Sequence, residues 1–176
     1  MESVTTRCRT AWSKFRELLP HLTCRSLTLR TRGNIFTTYV RSVLTYGSEC
    51  WSLRKEERNR LLRNERAMVR WVCGVKPGVE VDTAALYNRL AIPHLDAALR
   101  YSRLRWYGHV TRSQSWIQRC QTLDVAGRAS AGRPRKTWND SVKEDLRACR
   151  WNSDLAWNRD AWRESIRVTI RQSNPL

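Results

Sequence analysis

The run Arg103-Leu104-Arg105-Trp106-Tyr107-Gly108-His109-Val110-Thr111-Arg112 sets guanidinium groups beside aromatic rings. A guanidinium forks onto a phosphate through parallel N–H groups, and an aromatic face accepts a stacked base. On a helix, Arg100, Arg103 and Arg112 are candidate phosphate clamps, with Arg105 beside them and Tyr107 as a stacking ring. His109 is a further candidate donor to phosphate. Trp106 and His109 also fit the buried side of such a helix. Trp106 is read as core, and His109 fits either role, since an apolar-face histidine is commonly hydrogen-bonded inside. Earlier in the chain, Arg63, Arg66 and Arg70 share one helical face by i, i+3, i+7 spacing, a stripe that a solvated helix surface shows equally.

A second basic signal is Gly132-Arg133-Pro134-Arg135-Lys136-Thr137-Trp138. Its Gly-Arg-Pro core resembles an AT-hook, an extended tripeptide that lies in a narrow minor groove. Arg133 would then enter the groove while Arg135 and Lys136 reach phosphates. The other reading is a flexible basic linker without base preference. No catalytic constellation accompanies these signals. Two-metal chemistry needs carboxylates converging on one point. The adjacent acidic pairs, Glu56-Glu57 and Glu144-Asp145, instead sit in polar helical segments, where pairing to Arg or Lys is the ordinary role. Neither a Ser/His/Asp nor a Cys/His arrangement has supporting context, and there is no phosphate-cradling Gly-rich loop. The chain on its own is therefore expected to be no enzyme and to need no cofactor.

The charge balance points to the same kind of partner. The 176 residues carry 33 Lys+Arg against 16 Asp+Glu, a net charge of +17, and nearly all of the excess is Arg. Such a charge repels itself in the folded state, so a polyanion such as RNA or DNA is the natural partner. A membrane surface fits less well, because no long basic amphipathic helix carries a clean apolar face. Cysteines at 8, 24, 50, 73, 120 and 149 form no C-x-x-C pair, and no metal-ligand spacing links them to histidine. With no apolar signal segment, the expected setting is the nucleus or cytoplasm, with the thiols reduced.

The elements that must position these residues read as helices nearly throughout, so the fold class is all-α. The first spans Met1 to Leu19 and stops near Pro20. The second runs from Leu29 to Tyr46, with Ile35, Tyr39, Val43 and Tyr46 as its apolar stripe and Gly47 closing it. The third covers Lys55 to Cys73, with Leu61, Leu62, Met68, Val69 and Val72 inward. Lys76-Pro77-Gly78 marks a boundary, after which Asp82 caps a short helix. A longer helix starts near Pro93 and reaches Thr111, burying Leu95, Leu99, Trp106 and Val110. Trp116 to Leu123 adds a further turn or two. Val125 to Lys136 is rich in Gly, Ala and basic residues and reads as a linker. Two last helices follow, one opening at Lys136 or Thr137 with Val142, Leu146 and Cys149 inward. The other is capped by Ser153, with Leu155, Trp162, Ile166 and Ile170 on one face. The nine tryptophans are read as mostly core, with one or two left as stacking platforms. The expected organisation is a helical bundle over 1–76, a helical module over 77–124, a basic linker over 125–137 and a helical pair over 138–176.

Several blocks, taken in order, resemble the C-terminal portion of the reverse transcriptase polyprotein of non-LTR (LINE-type) retrotransposons. They are Ala11-Trp12-Ser13-Lys14-Phe15-Arg16-Glu17-Leu18-Leu19-Pro20, Tyr39-Val40-Arg41-Ser42-Val43-Leu44-Thr45-Tyr46-Gly47-Ser48-Glu49-Cys50-Trp51 and Glu65-Arg66-Ala67-Met68-Val69-Arg70-Trp71-Val72-Cys73-Gly74-Val75. Arg103 to Val110, Gly132 to Trp138 and Asp160-Ala161-Trp162-Arg163 complete the set. The resemblance implies that the first 76 residues are a helical thumb, which grips the primer–template, and that an Arg- and Trp-rich extension follows. It implies RNA or an RNA–DNA hybrid as partner, together with the rest of a reverse transcriptase. The family's Tyr-x-Asp-Asp metal box does not occur here, so polymerase activity is carried to no residue. The resemblance places the palm, fingers and endonuclease upstream of Met1. Two other readings stand beside it: a retroelement relic without a function of its own, and a recruited DNA-binding adaptor built on Gly132-Arg133-Pro134.

Overall fold

The computed structural model describes residues 4–113 and 136–172, and among these every regular element is helical. The chain forms α1 (Val4–Glu17), α2 (Leu19–Leu22), α3 (Leu29–Ile35), a π-helical stretch (Phe36–Arg41) and α4 (Ser42–Leu44). A 3₁₀ turn (Ser48–Cys50), α5 (Lys55–Val72), α6 (Thr83–Arg89) and α7 (Leu95–Arg112) follow. After the interval come α8 (Trp138–Cys149), a second 3₁₀ turn (Ser153–Trp157) and α9 (Arg159–Gln172). The segment Trp116 to Leu123 and most of the basic linker lie outside the described residues.

Helix ends follow local chemistry. Asp82 accepts from the Ala84 and Ala85 N–H groups and starts α6. Thr137 and Asp140 form a reciprocal capping box at the start of α8. Gly47 and Gly74, both at positive φ, close the helices before them. The first helix, α1, ends at Glu17 close to Pro20 as expected, and Pro20 itself sits in the opening turn of the short α2, where its missing N–H is unneeded. One end differs from expectation. Ser153 opens a 3₁₀ turn rather than α9, whose first turn is capped by the Asn158 side chain accepting from Ala161 N–H.

The second helical segment also buries a different face. Phe36, Val40 and Leu44 are inside, whereas Tyr39 and Tyr46 are exposed. Two apolar stripes lie one residue apart here, and periodicity alone does not choose between them. The wider π turn brings Val40 and Arg41 inward together. Gly33 fixes the choice by close approach, since a Cβ there would lie 2.1 Å from the Leu90 carbonyl oxygen. Arg41 is buried and donates to Glu65 from Nε at 2.8 Å and from a terminal guanidinium nitrogen. Burial pushes the Glu65 carboxyl above its ordinary range, and Arg41 opposes that push.

Two apolar clusters result. The first runs from Val4 to Leu99 and joins α1–α6 to the start of α7, crossing Lys76-Pro77-Gly78 without interruption. The second gathers Tyr101 and Leu104 of α7 with Val142, Leu146, Ala156, Trp162 and Ile166. Helix α7 thus belongs to both clusters, its first turns in one and its later turns in the other. Trp138 Nε1 donates to the Glu49 carbonyl at 2.7 Å, and Ser52 Oγ donates to the Lys136 carbonyl at 2.5 Å, tying α8 back to the first cluster. Of the tryptophans, Trp162 is fully buried, but Trp71 and Trp157 are exposed. Trp12, Trp51, Trp106, Trp138 and Trp151 are half-buried at helix seams, so the indoles are seam residues more than core.

Candidate nucleic-acid interface

The later turns of α7 present two functionally different sides. On the inner side, Arg103 is buried and donates to Asp145 of α8 at 2.5 Å, with Arg100 Nε 3.5 Å from the other carboxylate oxygen. Burial pushes the Asp145 carboxyl above its ordinary value, and the guanidinium groups of Arg103 and Arg100 pull the other way. These two arginines, expected as phosphate clamps, instead neutralise one acid between helices. Tyr107 is likewise taken, its ring lying 6.3 Å from Trp138 and 6.0 Å from Trp162. It packs the seam rather than offering a free face.

The other side of α7 faces α9 across an open groove of about 1110 Å³. Arg105, His109 and Arg112 stand along one wall, and Arg159, Arg163 and Arg167 along the other. Trp106 and Ile170 contribute apolar surface between them, with the buried Trp162 and Ile166 beneath, and Glu49 is the one carboxylate lining it among the described residues. The second wall follows from spacing, because residues 159, 163 and 167 recur at i, i+4 and i+8 on α9. Arg105, Arg159 and Arg163 are exposed and have no hydrogen-bond or ion-pair partner among the described residues. Arg112 donates to the Ala156 carbonyl, and Arg167 lies 3.6 Å from Glu164. Burial, and then the Arg159 charge facing it, hold the Arg112 guanidinium below its ordinary value. Like charges crowd here, and an anion between them would relieve the repulsion.

Trp106 is half-buried rather than core, and His109 is exposed with its ring centroid 5.2 Å from the indole at a 36° tilt. The two rings make an aromatic ledge in the groove.

The close packing of α7 on α9 sets this geometry. Trp162 Nε1 donates to the Leu104 carbonyl at 3.1 Å, and a Cβ on Gly108 would lie 2.2 Å from that same nitrogen. Alanine at 108 would gain about 1 kcal/mol of helix propensity. Displacing a fully buried indole costs about 1–3 kcal/mol or more, so the clash wins. Gly108→Ala is expected to lower thermal stability, and an unchanged melting temperature would show that α9 does not sit this tightly on α7.

The remaining expected residues are dispersed. Arg70 donates to the Lys76 and Val79 carbonyls at 3.2 and 2.7 Å and holds the loop after α5. Arg66 is exposed, and Arg63 joins Arg9, Arg16 and Arg60 around a shallower concavity of about 660 Å³ between α1 and α5, beside Trp12. Lys136 pairs with Glu144, and Arg133 and Arg135 lie outside the described residues. Arg9, Arg16, Arg60, Arg159, Arg163 and Arg167 line the two concavities beyond the residues expected to bind.

Among the described residues no group of three His, Cys, Asp or Glu side chains is placed to hold a metal ion, and no helix is long and apolar enough to cross a membrane. Cys8, Cys24, Cys50, Cys73 and Cys149 are free thiols. Burial pushes Cys8, Cys73 and Cys149 above the usual thiol value, which leaves them poor nucleophiles. Comparison with known proteins found no matching family model, no matching curated protein and no matching solved structure.

Proposed function

We propose that this chain binds nucleic acid, as the C-terminal part of a non-LTR reverse transcriptase that holds RNA or an RNA–DNA hybrid for chemistry done by other parts of such an enzyme. The observation that carries the binding reading is the α7–α9 groove, where arginines on two facing helices converge on an aromatic floor. A site for a small neutral ligand would not gather so many cations, because each must be solvated or paired. A phosphodiester backbone supplies the missing charge at regular intervals. The retroelement origin rests on the ordered sequence blocks alone.

Ultraviolet crosslinking of a photoreactive oligonucleotide to the full chain, with the adducts located by mass spectrometry, tests the reading. Adducts are expected on α7 and α9, centred on Trp106 and His109. Adducts confined to α1 and α5 would transfer the site to the Arg9, Arg16, Arg60 and Arg63 concavity.

A further inference from the structure

The α7–α9 groove has a floor that a phosphate backbone alone does not explain. Charge recognition needs only the arginines, yet Trp106 is left half-buried with ring surface in the groove, and His109 extends the aromatic ledge. Holding an indole in a water-filled cleft gains nothing unless an apolar or π surface covers it. We infer that the groove takes a single strand, with an unpaired base stacked on the Trp106–His109 ledge and the flanking phosphates held by the arginines of α7 and α9. The inference rests on the nucleic-acid reading above and narrows it to unpaired strand.

Three features favour a single strand over a duplex. In a duplex the base faces are hidden in the stack, so only phosphates and base edges would meet the groove and the ledge would stay uncovered. The arginine rows also have a suitable spacing. Helical rise puts Arg159, Arg163 and Arg167 about 6 Å apart in succession along α9, close to the separation of successive phosphates in an extended strand. Arg105 and His109 repeat that interval on the opposite wall. Finally, the groove's volume of about 1110 Å³ matches that of a few nucleotides of single strand.

The stack is indifferent to base identity, because every base has a π face. Discrimination is therefore expected between stacked and absent bases more than among sequences.

The test compares three ligands of equal phosphate number with the full chain: an adenine-rich single strand, an abasic strand and a blunt duplex. Fluorescence anisotropy is read at one salt concentration. The adenine strand is expected to bind roughly tenfold more tightly than the abasic strand, and more tightly than the duplex. Trp106→Ala should reduce the adenine strand to the abasic level, whereas Trp106→Phe should keep most of the difference. A thermal melt of each variant separates a lost stack from a lost fold, and the wild-type comparison needs no variant at all. Equal affinity for adenine and abasic strands, or preference for the duplex, overturns the stacking inference while leaving nucleic-acid binding in place. Binding of none of the three overturns both.

Discussion

Asp145→Ala is expected to remove about 3–5 kcal/mol of stability, the cost of leaving a buried charge without its partner. Arg103 is buried to the same degree as the acid it pairs with, and its guanidinium donates to Asp145 at 2.5 Å. Arg100 leans on the other oxygen at 3.5 Å. Without the carboxylate, two cations would face each other in a seam between α7 and α8. A domain of this size has about 5–15 kcal/mol to lose, so the variant should melt on the order of 10 °C lower. The paired replacement Arg103→Leu with Asp145→Leu should recover most of the loss, since apolar residues can fill the same space without a desolvation cost. If Asp145→Ala melts like the wild type, Arg103 is free to turn outward. The phosphate clamp expected from sequence would then be restored.

The second large effect is on binding. Arg105, Arg159 and Arg163 are exposed and lack protein partners among the described residues, so their replacement by alanine should leave the fold intact. Each partly exposed contact to phosphate is worth about 1 kcal/mol. The triple variant should therefore bind a single strand about 100-fold more weakly. Replacing Arg63 and Arg66 should change that affinity far less, because neither lines the α7–α9 groove. A triple variant that binds as the wild type does would take the groove out of the account.

Much of the architecture was legible because it depends on neighbours in sequence. The Asp82 cap, the start of α8 after Thr137, the glycines after α4 and α5, and the inward stripe of α5 all report local chemistry. What the sequence did not disclose depends on distance. Arg103 and Asp145 are 42 residues apart, and a paired arginine looks the same in a sequence as a free one. Expecting Arg100, Arg103 and Arg112 to act together treated charge as exposure. The burial phase of the Leu29 to Leu44 segment was hidden too, because the Gly33 approach to Leu90 comes from α6 packing. By contrast, the i, i+4, i+8 arginines of α9 were readable. On the same helix, Trp162, Ile166 and Ile170 give a stripe that points to the core and masks the charged face. The groove arises because one helix does both, packing with one face and charging the other.

Indoles show a related ambiguity. A tryptophan with an apolar body and a polar edge suits a seam as well as a core, and here Trp106 and Trp162 sit on the same groove with opposite fates. Trp162 is buried and fixes the α7–α9 distance through Leu104, while Trp106 keeps surface in the cleft.

The measurement that bears most directly on the groove as a phosphate-backbone site is the slope of log affinity against log salt for a single-stranded oligonucleotide. It is taken for the full chain and for the Arg105, Arg159 and Arg163 alanine triple variant. Each backbone contact on a single strand contributes about −0.7 to that slope. The wild type should lose affinity steeply with salt, and the variant's slope should be shallower by about 2. Two parallel lines, or a wild-type affinity indifferent to salt, would contradict the assignment of the groove to a phosphate backbone.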